Sequence, residues 1–129
     1  MSEEDPWLRK LFRRVLREGV RITSYATAGS WRVAELELPV KELLWEREVS
    51  RGWGVRRSWR LYKARLGGAT VYVAERRIFA PVWGEMEETL CLAATTPLRV
   101  RVKWRVCYGG CEEFTSEREV RVPVLSEGL

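Results

Sequence analysis

Apolar and polar residues alternate with a period of two along most of the chain, from residue 20 almost to its end. Such alternation is typical of strands that bury one face. Candidate strands fall at 20 to 28, 31 to 38, 55 to 66, 69 to 80, 87 to 96, 98 to 108 and 111 to 124. The pattern predicts a mainly β fold, an antiparallel β-sandwich or partly open barrel of about seven strands. Residues 40 to 50 fit a helical turn and a strand equally well.

The segment before the first strand predicts one N-terminal amphipathic α-helix. Its apolar residues recur at helical spacing, as Trp7, Leu8, Leu11, Phe12, Val15 and Leu16. Asp5 is suited to cap this helix, Pro6 to its first turn and Gly19 to its end. A basic amphipathic helix can also lie on an anionic membrane, but packing of the apolar stripe on the sheet is the favoured alternative.

The glycines at two predicted hairpin turns allow the strand registers to be predicted. Gly67-Gly68 suits a two-residue turn with positive φ, which places Tyr62 opposite Val73 and Arg60 opposite Glu75. For the second hairpin we expect a three-residue loop, Tyr108-Gly109-Gly110, with Gly110 in the left-handed conformation. That register has four facing pairs, Arg105 with Glu113, Arg101 with Glu117, Arg99 with Glu119 and Trp104 with Phe114.

The basic stripe of the second hairpin has two interpretations. Arg99, Arg101, Lys103 and Arg105 alone would suit a phosphate track. With glutamates opposite them, a cross-strand ion-pair ladder is favoured, a common device in proteins from hot environments.

The same register sets Cys107 opposite Cys111, so we expect a disulfide there, with Cys91 left as an odd, buried thiol. A zinc site would lack a fourth ligand, because the chain has three cysteines and no histidine.

The composition excludes most catalytic sites. There is no His, Asn or Gln, and Asp5 is the only aspartate, so a Ser-His-Asp triad, an imidazole zinc site and paired aspartates are all ruled out. We therefore expect no catalytic residues, no metal and no cofactor. The loss of amides beside abundant Glu and Arg is typical of hyperthermophile proteins, and we expect an archaeal source of that kind.

The length and the lack of linkers or repeats predict a single domain over residues 1–129, with the helix at 1–19 and a β body at 20–129. The longest apolar run, 90 to 94, is too short to span a bilayer. We therefore expect a cytoplasmic protein with no membrane partner.

Positive charge is concentrated in residues 51 to 79, which carry eight basic groups and one acid, whereas the other residues have a net charge of −2. Aromatic residues lie among these charges, and Trp53 stands between two glycines. Arginines bind phosphates, and exposed aromatic rings stack on unpaired bases. The candidate nucleic-acid-binding residues are therefore Arg51, Trp53, Arg56, Arg57, Arg60, Arg76 and Arg77.

Three hypotheses follow for this segment. The first is a non-catalytic binding module for RNA or DNA, and the second is docking on an acidic protein surface. In the third, the charges are purely structural and pair with Glu85, Glu87 and Glu88. A competing function is a structural or assembly subunit, cellular or viral, in which the strands and tryptophans make protein contacts, as a homo-oligomer or with another chain.

Overall fold

One open antiparallel sheet of eight strands makes up most of the fold, and the computed structural model describes residues 5–109 and 112–126. The elements are α1 (Pro6–Glu18), β1 (Val20–Ala26), β2 (Trp31–Leu36), β3 (Glu42–Ser50), β4 (Arg56–Leu66), β5 (Ala69–Ala80), β6 (Glu85–Ala94), β7 (Leu98–Tyr108) and β8 (Glu112–Val122). The strand order is β3-β4-β5-β6-β1-β2-β7-β8. The mainly β fold with one N-terminal helix is confirmed, and the ambiguous segment 40 to 50 contains an edge strand, β3.

The sheet bends, so that side chains of β5, β6 and β1 pack against those of β2, β7 and β8 in one buried cluster around Val73, Leu92 and Val102. We call the side facing this cluster the inner face. Strands β1 and β2 pair at only two positions. Beyond these positions, the buried hydroxyl of Ser24 accepts a hydrogen bond from the backbone N–H of Ala34 at 2.9 Å. This bond supplies a polar link where the two strands separate.

The helix α1 packs on the opposite side of the sheet, which we call the outer face. Leu11, Phe12 and Val15 are buried there against a second cluster, whose sheet members are Trp45, Leu61, Ala74, Cys91 and Ala93. The Oδ1 atom of Asp5 accepts a hydrogen bond from the N–H of Trp7 at 2.9 Å, which confirms the predicted cap. The favoured interpretation of the helix, packing on the sheet, is also confirmed. In the described chain, no helix has the length and apolar character needed to cross a membrane.

The register of the first hairpin is confirmed. Gly67 and Gly68 have φ of +56° and +82°, and the expected pairs Tyr62 with Val73 and Arg60 with Glu75 face each other.

The register of the second hairpin was wrong by two residues, because Tyr108 pairs with Glu112 and Trp104 faces Ser116 rather than Phe114. A shift by two keeps every side chain on the same face, so the hydrophobic pattern does not distinguish the two registers. Gly110, expected in the left-handed conformation, lies outside the described residues.

The expected ion-pair ladder forms in part. Two ion pairs are observed in it, and each joins residues that lie diagonally across the two strands rather than directly opposite each other. An oxygen of Glu113 lies 2.6 Å from a guanidinium nitrogen of Arg105, and Glu119 lies 3.8 Å from Arg99. These partners are offset by two residues from the observed register, a distance that long side chains can span. Glu119 and Glu117 directly face Arg101 and Lys103 respectively.

The disulfide prediction depended on the expected register of β7 and β8, which the structure contradicts. Cys107 is buried and faces Glu113, not residue 111. Cys111 itself lies outside the described residues, and no cysteine pair within 5–109 and 112–126 is at disulfide distance. Cys91 is fully buried under α1, as expected of the odd thiol.

We expect Gly19→Ala to lower the free energy of unfolding by about 1–3 kcal/mol, because the chain passes too close to the sheet there for a side chain. A Cβ at Gly19 would lie 2.6 Å from the carbonyl oxygen of Val15 and 2.7 Å from that of Leu92. Chemical unfolding would measure the change. Gly29→Ala is the matched control, since a Cβ at Gly29 meets no atom within 4 Å. Equal stability of the two variants would contradict this account of the helix exit.

Candidate nucleic-acid interface

The alternation of side chains along β4 and β5 divides the predicted binding residues between the two faces of the sheet. Arg57 and Arg76 lie on the outer face, whereas Arg56, Arg60 and Arg77 lie on the inner face. Neighbouring residues of a strand point to opposite sides, so the arginine pairs 56–57 and 76–77 do not act together on one surface.

Arg60 is part of an ion-pair cluster on the inner face. Its guanidinium nitrogens lie 3.1 Å from Glu75, 3.3 Å from Glu46 and 3.9 Å from Glu48. Burial lowers the pKa of Arg60, but the hydrogen bond to Glu75 and nearby negative charge outweigh that effect and raise it. With three carboxylates around it, Arg60 is not available to a phosphate, and we leave it out of the candidate interface.

A second pair of charged residues occupies the inner face of β5 and β6. Arg77 faces Glu88 across the two strands, and its guanidinium lies 6.0 Å from the ring centroid of Phe79. Burial, and then the charge of Glu75, raise the pKa of Glu88, while Arg77 offsets part of the shift. Arg77 therefore lies in a partly desolvated cluster rather than on an open surface.

The outer face presents arginine and tryptophan side by side. Trp59 lies between Arg47 of β3 and Arg76 of β5, and Arg57 lies two residues along β4 on the same side. A cavity of about 230 Å³ opens here, lined by Arg57, Trp59, Arg76, Arg77, Ile78, Glu87 and Thr89. No described carboxylate lies within ion-pair distance of Arg57 or Arg76, and both side chains are exposed.

The helix adds a second cavity next to this one. It measures about 220 Å³ and is lined by Arg9, Phe12, Arg13, Leu16, Trp45, Arg47 and Trp59. Trp59 lines both cavities, so they lie next to each other. We call this second cavity the helix–sheet cavity, and we call Arg13, Arg57, Trp59 and Arg76 together the outer basic surface.

The arginines that α1 and β3 contribute to this region were not among the predicted binding residues. The basic side of the helix was visible in the sequence, and Arg47 follows Trp45 at strand spacing. The sequence does not show in which direction the helix crosses the sheet. That direction decides which helix residues lie beside Trp59.

Trp53 stands at one end of the sheet with an unusual backbone. It is 76% exposed and has φ of +64°, a conformation that non-glycine side chains rarely adopt. The turn Gly52–Gly54 contacts the turn Pro81–Trp83, since a Cβ at Gly54 would lie 3.5 Å from Cγ of Pro81. We call these two turns the turn tip; Val82 and Trp83 are also exposed there.

Two more of the predicted arginines lie at the turn tip. Arg51 and Arg56 flank the turn Gly52–Gly54, and both are exposed. Within the described residues no carboxylate is at ion-pair distance from either. The structure therefore brings Arg51, Arg56 and Trp53 together at one end.

The purely structural hypothesis required the glutamates of β6 to neutralise the first hairpin. β6 does lie beside β5, and Glu85, Glu87 and Glu88 face Ala80, Ile78 and Arg77 respectively. Even so, in the part of the chain that the structure describes, none of the three forms an ion pair with an arginine of the hairpin. The positive charge of Arg57 and Arg76 is therefore left without direct compensation.

Comparisons with known proteins find no match, since no family model, no curated protein and no solved structure matches the chain.

We expect Glu88→Gln to stabilise the protein at pH 7 and to have little effect in acid. The folded-state pKa of Glu88 is raised above its usual 4.5. The contribution of the Glu88 carboxyl to the free energy of unfolding is therefore fully present below pH 4.5. This contribution is lost as the pH rises through the folded-state pKa of Glu88. The amide keeps the shape and removes the charge, so the variant avoids this loss.

The free energy of unfolding, measured from pH 4 to pH 8 for both proteins, checks this expectation. Glu85→Gln, at an exposed position of the same strand, is the control and should show no such divergence. A wild-type protein that gained stability over the variant as the pH rose would contradict it.

Proposed function

We propose that this protein is a non-catalytic module that binds single-stranded nucleic acid, RNA or DNA, on the outer basic surface and the turn tip. The observation that carries the proposal is the group of Arg57, Trp59 and Arg76, in which two exposed arginines, neither of them within ion-pair distance of a described carboxylate, lie next to an indole ring. Guanidinium groups pair with phosphate oxygens, and tryptophan stacks on bases.

The spacing of these residues supports binding along β4. Arg57 and Trp59 lie about 6.6 Å apart on one side of the strand, as same-face neighbours do. Trp53 lies beyond the start of this strand, in the turn Gly52–Gly54. Arg57 and Arg76 would contact phosphates, with Arg13 of α1 beside them and Arg51 and Arg56 near the turn tip.

A single strand fits this surface better than a duplex. In a duplex, bases are stacked on one another and offer only their edges, whereas unpaired bases can be splayed onto aromatic rings. Trp53 is held outward at 76% exposure by a turn whose backbone is itself strained. Residues held in rarely populated backbone conformations cluster at functional sites.

We expect Arg57→Ala/Arg76→Ala to weaken binding of a single-stranded oligonucleotide and to reduce its salt dependence. Each phosphate contact removed should lower the slope of log affinity against log salt concentration by about 0.7. Fluorescence anisotropy over a range of salt concentrations would measure both effects. Arg101→Ala, on the exposed side of β7, is the control and should leave both unchanged.

Two results would reject the proposal. One is the absence of binding even at low salt. The other is an equal loss of affinity in the Arg101→Ala control, which would indicate a general effect of net charge rather than a defined surface.

A second candidate function, a structural or assembly subunit, is favoured by the turn tip. Trp53, Val82 and Trp83 are 76%, 60% and 55% exposed on adjacent turns, and tryptophan is enriched at protein interfaces.

If this second candidate is correct, light scattering should show an oligomer that Trp83→Ala weakens. Phe114→Ala is a control at another exposed aromatic residue, 54% exposed on β8. A monomer at high concentration, together with salt-sensitive oligonucleotide binding, would decide for the first candidate.

A further inference from the structure

The helix–sheet cavity combines an aromatic lining with positive charge. Phe12, Trp45 and Trp59 supply three rings, and the rings of Phe12 and Trp45 pack at a centroid distance of 5.0 Å. Arg9, Arg13 and Arg47 supply the charge, and among residues 5–109 and 112–126 no acidic side chain lines the cavity. Arg13 is exposed, and no carboxylate of the described chain lies within ion-pair distance of it. A ligand that fits this lining is a flat ring attached to an anionic group.

The size of the cavity narrows the choice of ligand. At about 220 Å³, the cavity is smaller than the roughly 300–1,000 Å³ of sites for drug-sized ligands, so it suits a single ring system. Trp45 is only 7% exposed and its indole Nε1 is buried, so this ring contributes apolar surface to the cavity rather than a hydrogen-bond donor.

We propose that the helix–sheet cavity receives one unpaired base of the bound strand, with Trp59 as its stacking surface and Arg13 at the adjoining phosphate. This inference rests on the proposed function, and it adds a base-binding site formed jointly by α1 and the sheet. The position of Trp59 supports it, because this residue lines both the helix–sheet cavity and the neighbouring cavity lined by Arg57 and Arg76. A strand whose phosphates lie on those two arginines would have a base within reach of the cavity.

The test compares an oligothymidylate of eight nucleotides with an abasic strand of the same length. Wild-type protein should bind the oligothymidylate more tightly, because bases contribute at the cavity and at Trp53. Leu16→Trp adds bulk to the cavity lining and keeps every charge. It should reduce the preference for bases about tenfold and leave affinity for the abasic strand unchanged, since one base stack is worth 1–3 kcal/mol.

Lys10→Trp is the matched control, because it adds the same ring at an exposed helix position that lines neither cavity. Leu16→Phe is the smaller alternative if the tryptophan variant unfolds, which circular dichroism would reveal. An unchanged preference for bases in the folded cavity variant would overturn this inference while leaving the proposed function intact. Failure of the wild-type protein to bind either strand would overturn both.

Discussion

The contact between α1 and the outer face of the sheet determines which surfaces of this protein remain open. Leu11, Phe12 and Val15 pack over Ala74, Cys91 and Ala93, whose small side chains let the helix approach closely. Each large side chain buried in this way contributes about 1.5–3 kcal/mol. The helix ends at Gly19, where the backbone passes so close to Leu92 that no side chain fits. Contacts with the sheet thus fix where the helix lies and where it ends. The strand residues next to the helix stay accessible.

This arrangement explains why chemically similar arginines have different surroundings. On the inner face Arg60 is held by three glutamates, whereas on the outer face Arg57 and Arg76 have no such partner in the described chain. Exposed ion pairs contribute little to stability, so leaving these two arginines unpaired costs the fold little. Neighbouring positive charges do repel each other, and an anion placed between them removes that repulsion. In the proposed function that anion is a nucleic acid strand, whose bases would also stack on the tryptophan beside these arginines.

The sequence was sufficient for most of the fold because most of the strands alternate apolar and polar residues with a period of two. Asp5 accepts the hydrogen bond that caps the helix, and Gly67 and Gly68 adopt the positive φ that the turn needs. Local sequence was therefore enough to predict both features. The register of β7 and β8 was mispredicted because a shift by two residues preserves every inward-facing side chain.

For the candidate interface, the sequence indicated the correct segment but not the correct surface. Arg56 and Arg57 are adjacent in the sequence and lie on opposite faces. Arg13 reaches the same region only through the packing of α1, which no local pattern encodes. The backbone conformation of Trp53 likewise depends on the contact between two turns that are distant in the sequence.

Photo-crosslinking of a bound single-stranded oligonucleotide, followed by mass spectrometric mapping of the linked residues, would locate the binding surface. We expect crosslinks at Trp59 and Trp53 and in the flanking peptides of β4, β5 and α1. Crosslinks confined to the charged ladder of β7 and β8, or spread evenly over the surface, would contradict this expectation.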